Sequence, residues 1–123
     1  MNAASVRVLL IEDSSDDAEL LALELLADGM AADIQRVDTK SDLDHALTGP
    51  PPDIVICDGH LPGFDAADAL PWIRAAWPHV PVLLCLGHVD GSAATRELLA
   101  NVDGHLDKRR LHEAAAQIRQ LLG

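Results

Sequence analysis

The chain alternates short apolar runs with longer stretches in which apolar residues recur every three or four positions. Val6–Ile11 is almost continuously apolar, the pattern of a strand covered on both faces. Ser14 and Ser15 then offer helix caps, and Asp16, Asp17 and Glu19 supply the acids that a first turn favours. Ala18, Leu21, Ala22, Leu25 and Leu26 follow at helical spacing, with Gly29 as the stop. Ala32–Val37 reads as a second, more exposed strand. Ser41 caps a short helix through Leu47, and Gly49-Pro50-Pro51-Pro52 ends it and forces an extended entry into the next strand. Ile54–Asp58 is the third strand and Gly59–Gly63 a loop. Asp65 caps a helix through Trp77, in which Pro71 should cause a kink or delay the start. Val80–Leu86, Ser92–Ala100 and Gly104–Asp107 read as strand, helix and short strand. Leu111–Leu122 closes the chain as an amphipathic helix, with Leu111, Ala114, Ala115, Ile118, Leu121 and Leu122 on one side.

Strands alternating with helices predict an α/β fold with a doubly wound parallel sheet. The 123 residues suffice for one sizeable core. Regular structure reaches almost to both ends, which predicts a single domain over residues 1–123, free or cut from something longer. With Phe64, Trp72 and Trp77 as its aromatics, the chain must build that core from Leu, Val, Ile and Ala. The two tryptophans are five residues apart, so they do not share a helix face.

A formal net charge of −11 argues against direct nucleic-acid binding and favours cations or basic partner surfaces. Cys57 and Cys85 lie inside apolar runs and read as buried free thiols. No stretch is long enough to span a bilayer and no signal segment opens the chain, so the expected location is the cytoplasm, away from the membrane.

The chemistry gathers where strands end. Glu12 and Asp13 follow the first strand, Asp58 closes the third, and Lys108 follows the fifth. In an open parallel sheet the carboxyl ends share one edge, and ligands bind there. Glu12 and Asp13 alone would read as a solvated acidic turn. With Asp58 beside them, three carboxylates would repel one another and raise at least one pKa unless a cation joined them. Oxygen ligands in a small cluster suit Mg²⁺. An aspartate can also accept a phosphoryl group, a transfer that needs mainly positioning and charge neutralisation. Lys108 is one of two lysines, and the one at a strand end. Asp16 and Asp17 read as helix-start charges rather than ligands, and Arg109-Arg110 as a solvated loop or a contact for an acidic partner.

The stretches Val8–Asp13, Pro52–Asp58, Leu61–Asp65, Pro81–Leu84 and Asp103–Lys108, in this order and spacing, resemble the receiver domains of two-component response regulators over essentially the full length. The resemblance implies a flavodoxin-like, five-stranded parallel sheet of order 2-1-3-4-5 with helices on both faces. It implies that Asp58 accepts a phosphoryl group from a phosphohistidine, on a sensor histidine kinase or phosphotransfer domain. Mg²⁺ would be held by Asp13 and Asp58, with Glu12 acting through water and the His60 backbone carbonyl as a further ligand. Lys108 would pair with Asp58 and then with a phosphoryl oxygen. Such a domain catalyses its own phosphorylation and dephosphorylation without being a turnover enzyme. It can form homodimers through the face built from the fourth helix, fifth strand and fifth helix.

Two switch positions depart from the family pattern. Leu86 stands where a Ser or Thr hydroxyl would meet the phosphoryl oxygen, and His105 stands where an aromatic residue precedes the lysine by three. A leucine offers no hydrogen bond, so the usual relay cannot run in its ordinary form. Arg109 replaces the usual proline after the lysine, which removes the expectation of a cis bond. His60 and His88 would flank the phosphoryl site and gate water access, or join the carboxylates around a transition metal.

Three alternatives stand beside a working phosphoacceptor. One is a phosphorylation-independent pseudo-receiver acting as an interaction module. Another is a metal-dependent hydrolase, against which His60 counts by occupying the place of a second aspartate. The third is a flavin-type binder, against which the acidic first loop counts.

Overall fold

A computed structural model of the chain describes residues 5–61, 63–87 and 91–123. The elements run β1 (Val6–Ile11), α1 (Ser15–Ala27), β2 (Ala32–Val37), α2 (Lys40–Leu47), β3 (Ile54–Asp58), β4 (His60–Leu61), β5 (Phe64–Asp65), α3 (Ala66–Ala76), β6 (Val82–Leu86), α4 (Ala93–Asn101), β7 (Gly104–Asp107) and α5 (Ala114–Leu122). Five strands form one sheet in the order β2-β1-β3-β6-β7, with every neighbouring pair parallel. Counted over that sheet alone, this is the expected 2-1-3-4-5 order. The difference in detail is β4 and β5. They make a small antiparallel pair where the sequence predicts a loop, with Gly63 at φ 86° in the turn.

Alternation within the strands sends side chains to two cores. Leu9, Ile11, Val55, Cys57, Leu84 and Leu86 pack on the side that carries Leu43 of α2 and Ala69 and Ile73 of α3. Val8, Leu10, Ile54, Ile56, Leu83 and Cys85 pack on the side that carries Leu21 and Leu25 of α1 and Ala114, Ala115 and Ile118 of α5. Residues buried on both faces explain why the central strands read as continuous apolar runs.

Local chemistry moves several boundaries. Thr39, not Ser41, caps α2: its hydroxyl accepts from the Asp42 N–H at 3.0 Å. Ser14 caps α1, accepting from the Asp17 N–H at 3.2 Å. The fourth strand of the sheet begins at Val82 rather than Val80, because Pro81 has no N–H and contributes only its carbonyl, to Val55 N at 3.0 Å. Asp65 and Asp68 form a reciprocal capping box that starts α3 at Ala66, so Pro71 does not delay it. The last helix begins at Ala114, after a 3₁₀ segment Lys108–Glu113 broken at Arg110. Trp77 ends α3 buried, whereas Ala22 and Leu26, expected inward on α1, face solvent. No helix among the described residues is long and apolar enough to cross a membrane.

Candidate functional site

Strand register brings the charged residues together. Ile11 pairs with Cys57, so Glu12 and Asp58 leave β1 and β3 side by side. Asp58 pairs with Cys85 and Leu86 with Asp107, so Lys108 leaves the sheet one residue beyond the end of β6. The end of β1 is fixed by Glu12 N donating to the Val37 carbonyl at 3.0 Å and by Arg36 donating to the Glu12 carbonyl at 3.1 Å. The lysine stem passes beside Gly87, where a Cβ would lie in ordinary contact, 3.8 Å from Lys108 Cδ.

Lys108 Nζ lies 2.9 Å from Glu12 Oε1, 3.0 Å from Asp17 Oδ2 and 3.2 Å from Asp58 Oδ2. The three N–H bonds of an ammonium thus face three carboxylates. Glu12 and Asp58 are buried and Asp13 is exposed. Each of Glu12, Asp13 and Asp58 offers an oxygen within 4.8 Å of the others, a set that could hold a divalent cation. Burial, with Asp58 close by, pushes the Glu12 carboxyl up to about 7, although Lys108 and the Ser14 N–H pull it back. The direction is the one expected for clustered carboxylates, but burial is the larger cause and the neighbouring Asp58 the smaller. Burial alone would lower the Lys108 pKa, but Glu12, Asp17 and Asp58 outweigh it and hold the ammonium above its ordinary range.

Asp17 is a helix-start charge outside the cation-capable group, as the sequence predicts, but its ion-pair partner is one that sequence reasoning misses. It sits in the first turn of α1 and pairs with Lys108 as well as donating its N–H to Ser14. The sequence marks it only as one of several acids at a helix start. A partner 91 residues away leaves no local trace.

The altered positions have definite surroundings. Leu86 is buried in the core with α2 and α3, and a Cβ on Gly59 would come within 2.5 Å of its Cδ2. His105 is exposed on β7, opposite Leu84 in register. Arg109 grips Asp107, with Nη2–Oδ2 at 2.8 Å, and the side-chain and backbone bonds from Arg109 hold the Asp107 carboxyl down at about 2. Arg110 pairs with Glu113 at 3.5 Å. No cis peptide bond occurs among the described residues. Cys57 and Cys85 are buried free thiols, both pushed up to about 12, chiefly by burial. The gating and transition-metal roles considered for His60 and His88 lie outside the described residues, save for the His60 backbone in β4.

Fold and site together define a doubly wound sheet protein with carboxylates and one lysine at its strand ends. The family model for the response regulator receiver domain matches residues 8–119, and the chain belongs to that family of two-component signalling domains. No curated protein sequence matches it. Among solved structures, it is similar to the receiver domain of a Pseudomonas aeruginosa sensor histidine kinase with a magnesium ion in its active-site cleft. That match has 22% identity, covers 98% of this chain and 99% of the other, and has a TM-score of 0.80. The receiver domain of a Syntrophus aciditrophicus signal-transduction histidine kinase matches at 24% identity, 96% and 90% coverage and a TM-score of 0.80. The receiver domain of the Arabidopsis thaliana histidine kinase CKI1, complexed with Mg²⁺ and BeF₃⁻, matches at 25% identity, 94% and 88% coverage and a TM-score of 0.77.

Proposed function

We propose that this receiver domain is a phosphoacceptor, taking a phosphoryl group onto Asp58 from a phosphohistidine of a sensor kinase or phosphotransfer domain. The observation that carries the reading is the convergence of Lys108 with Glu12 and Asp58 at the end of the sheet. The Asp58 carboxylate attacks phosphorus, and the new O–P bond forms as the P–N bond breaks. The electron pair of the broken bond returns to the donor ring, which leaves as neutral imidazole if its other nitrogen carries a proton. Lys108, already beside Asp58, then faces the phosphoryl oxygens.

The donor set fits Mg²⁺: Glu12, Asp13 and Asp58 each offer an oxygen within 4.8 Å of the others, and burial beside Asp58 pushes Glu12 towards its protonated form. Asp13 and Asp58 would hold the ion, with Glu12 through water and the His60 carbonyl. Bound there, Mg²⁺ supplies neutralisation of charge on the phosphoryl oxygens. The similar domains described with magnesium support this assignment.

Leu86 supports a narrower role than a general conformational switch. Buried and without a hydroxyl, it has nothing to give a phosphoryl oxygen. The domain would therefore work as a phosphoryl relay or sink, with little change on its β6–β7 side. The test is intact-protein mass after incubation with acetyl phosphate, with and without Mg²⁺, alongside Asp58→Asn. A Mg²⁺-dependent adduct absent from the variant is expected. No adduct, together with no response to beryllofluoride, would instead make the domain a phosphorylation-independent interaction module.

A further inference from the structure

We propose that Asp17 is a positioning residue for phosphotransfer: it holds the Lys108 ammonium in place while Asp58 changes from ion-pair partner to phosphoryl carrier. The inference rests on the phosphoacceptor reading and adds a residue to it. Its basis is the division of labour among the three carboxylates around Lys108 Nζ. Glu12 and Asp58 also belong to the group able to hold a cation, whereas Asp17 does not. When a cation draws on Asp58 and Glu12, Asp17 is the partner left wholly to the lysine.

Geometry makes this more than a surface ion pair. The Lys108 side chain is only 22% exposed, and its stem crosses the end of β6 beside Gly87. Asp17 itself is fixed in the first turn of α1, where its N–H is held by the Ser14 cap. The pair therefore ties the flexible end of a long side chain to a helix start. A lysine loses several rotatable bonds of freedom when it must meet a fixed phosphoryl oxygen. Meeting that loss before the reaction leaves a smaller barrier at the transfer step. A phosphoryl oxygen needs to replace only the Asp58 contact on the ammonium, so the Asp17 contact can persist through the step.

The test compares Asp17→Ala, Asp17→Asn and Asp17→Glu with the unaltered protein, using acetyl phosphate at saturating Mg²⁺. In this reaction an Asp58 oxygen bonds to phosphorus while acetate leaves with the electrons of its P–O bond. The rate of adduct formation by intact mass, followed against donor concentration, separates the maximal rate from donor binding. The expected result is a fall in maximal rate on the order of tenfold for Asp17→Ala. Asp17→Asn should fall less, and Asp17→Glu should recover most of the rate. Thermal midpoints should stay together, because Asp17 is partly exposed. Maximal rates equal to or above that of the unaltered protein in both Asp17→Ala and Asp17→Asn would overturn the proposal. So would a fall that tracks loss of thermal stability and is not recovered by Asp17→Glu. No adduct on the unaltered protein would instead overturn the phosphoacceptor reading itself, and the positioning role with it.

Discussion

The carboxyl edge of the sheet carries two different chemistries side by side. β1, β3 and β7 deliver Glu12, Asp58 and Lys108 into one ion cluster. β6 lies between β3 and β7, yet it ends in Leu86, which turns into the core with α2 and α3. The lysine crosses over β6 to reach its partners, so the apolar strand end does not interrupt the charged site. The groups that receive a phosphoryl group and the group that would report its arrival thus come from different strands. One set can persist in a chain that lacks the other.

The largest test of that separation removes the apolar member. Leu86→Ala should cost about 2–5 kcal/mol of stability, the usual cost of emptying a buried leucine site. Urea unfolding measures it. Under conditions where the variant remains folded, its Asp58 adduct should form at an unchanged rate. A rate that collapses while the protein is folded would show that the two regions are one.

The complementary change removes the charged member. Lys108→Met should slow adduct formation about 10²-fold, roughly 2.7 kcal/mol in the barrier, as for loss of one preorganised charge at a reacting centre. The core contacts of Leu86 should be untouched, which the near-ultraviolet signal of buried Trp77 can report. A variant that accepts the phosphoryl group as fast as its parent would remove Lys108 from the site.

A third test uses pH. The Glu12 carboxyl rises from an ordinary 4.5 to about 7 in the folded protein. Between those values the folded state binds more protons than the unfolded one, so stability falls as pH rises. The metal-free protein should be more stable at pH 5 than at pH 8 by about 2 kcal/mol from this residue. Glu12→Gln should remove that part of the difference. Urea unfolding in a chelator at the two pH values decides it, and an undiminished difference in the variant would place the titration elsewhere.

The same contrast explains what was legible in the sequence. β1, β3 and β6 could be read because strands buried on both faces leave apolar runs, the first two ending at Glu12 and Asp58. The half-exposed β2 and β7 leave weaker patterns, and the strand order came from the family resemblance. Leu86 and His105 also stood out as departures at known spacings. The boundaries that moved depend on single hydrogen bonds. Thr39 and Ser41 are both acceptable caps by type, and only the chain's path selects Thr39. The tie between Asp17 and Lys108 joins a helix start to a strand end 91 residues later, and helical spacing contains no sign of it. Leu26 followed the spacing but faces solvent, at 70% exposure, because the buried stripe of α1 is narrow.

The smallest effect lies where the two regions touch. Gly59 follows Asp58, donates its N–H to the Cys85 carbonyl at 3.1 Å, and faces the Leu86 methyl. A Cβ at residue 59 would meet Leu86 Cδ2 at 2.5 Å, inside any tolerated contact. The methyl is the far end of a side chain and can shift, so Gly59→Ala should cost only about 1 kcal/mol. That cost should largely vanish when Leu86 is already alanine, giving a coupling of about 1 kcal/mol in a double-mutant cycle. Coupling in stability without coupling in phosphorylation rate would place the contact in the core alone. Coupling in both would mean that Leu86 sets the position of the chain beside the acceptor. The two chemistries of the edge would then meet through Gly59, by packing rather than by a hydrogen bond.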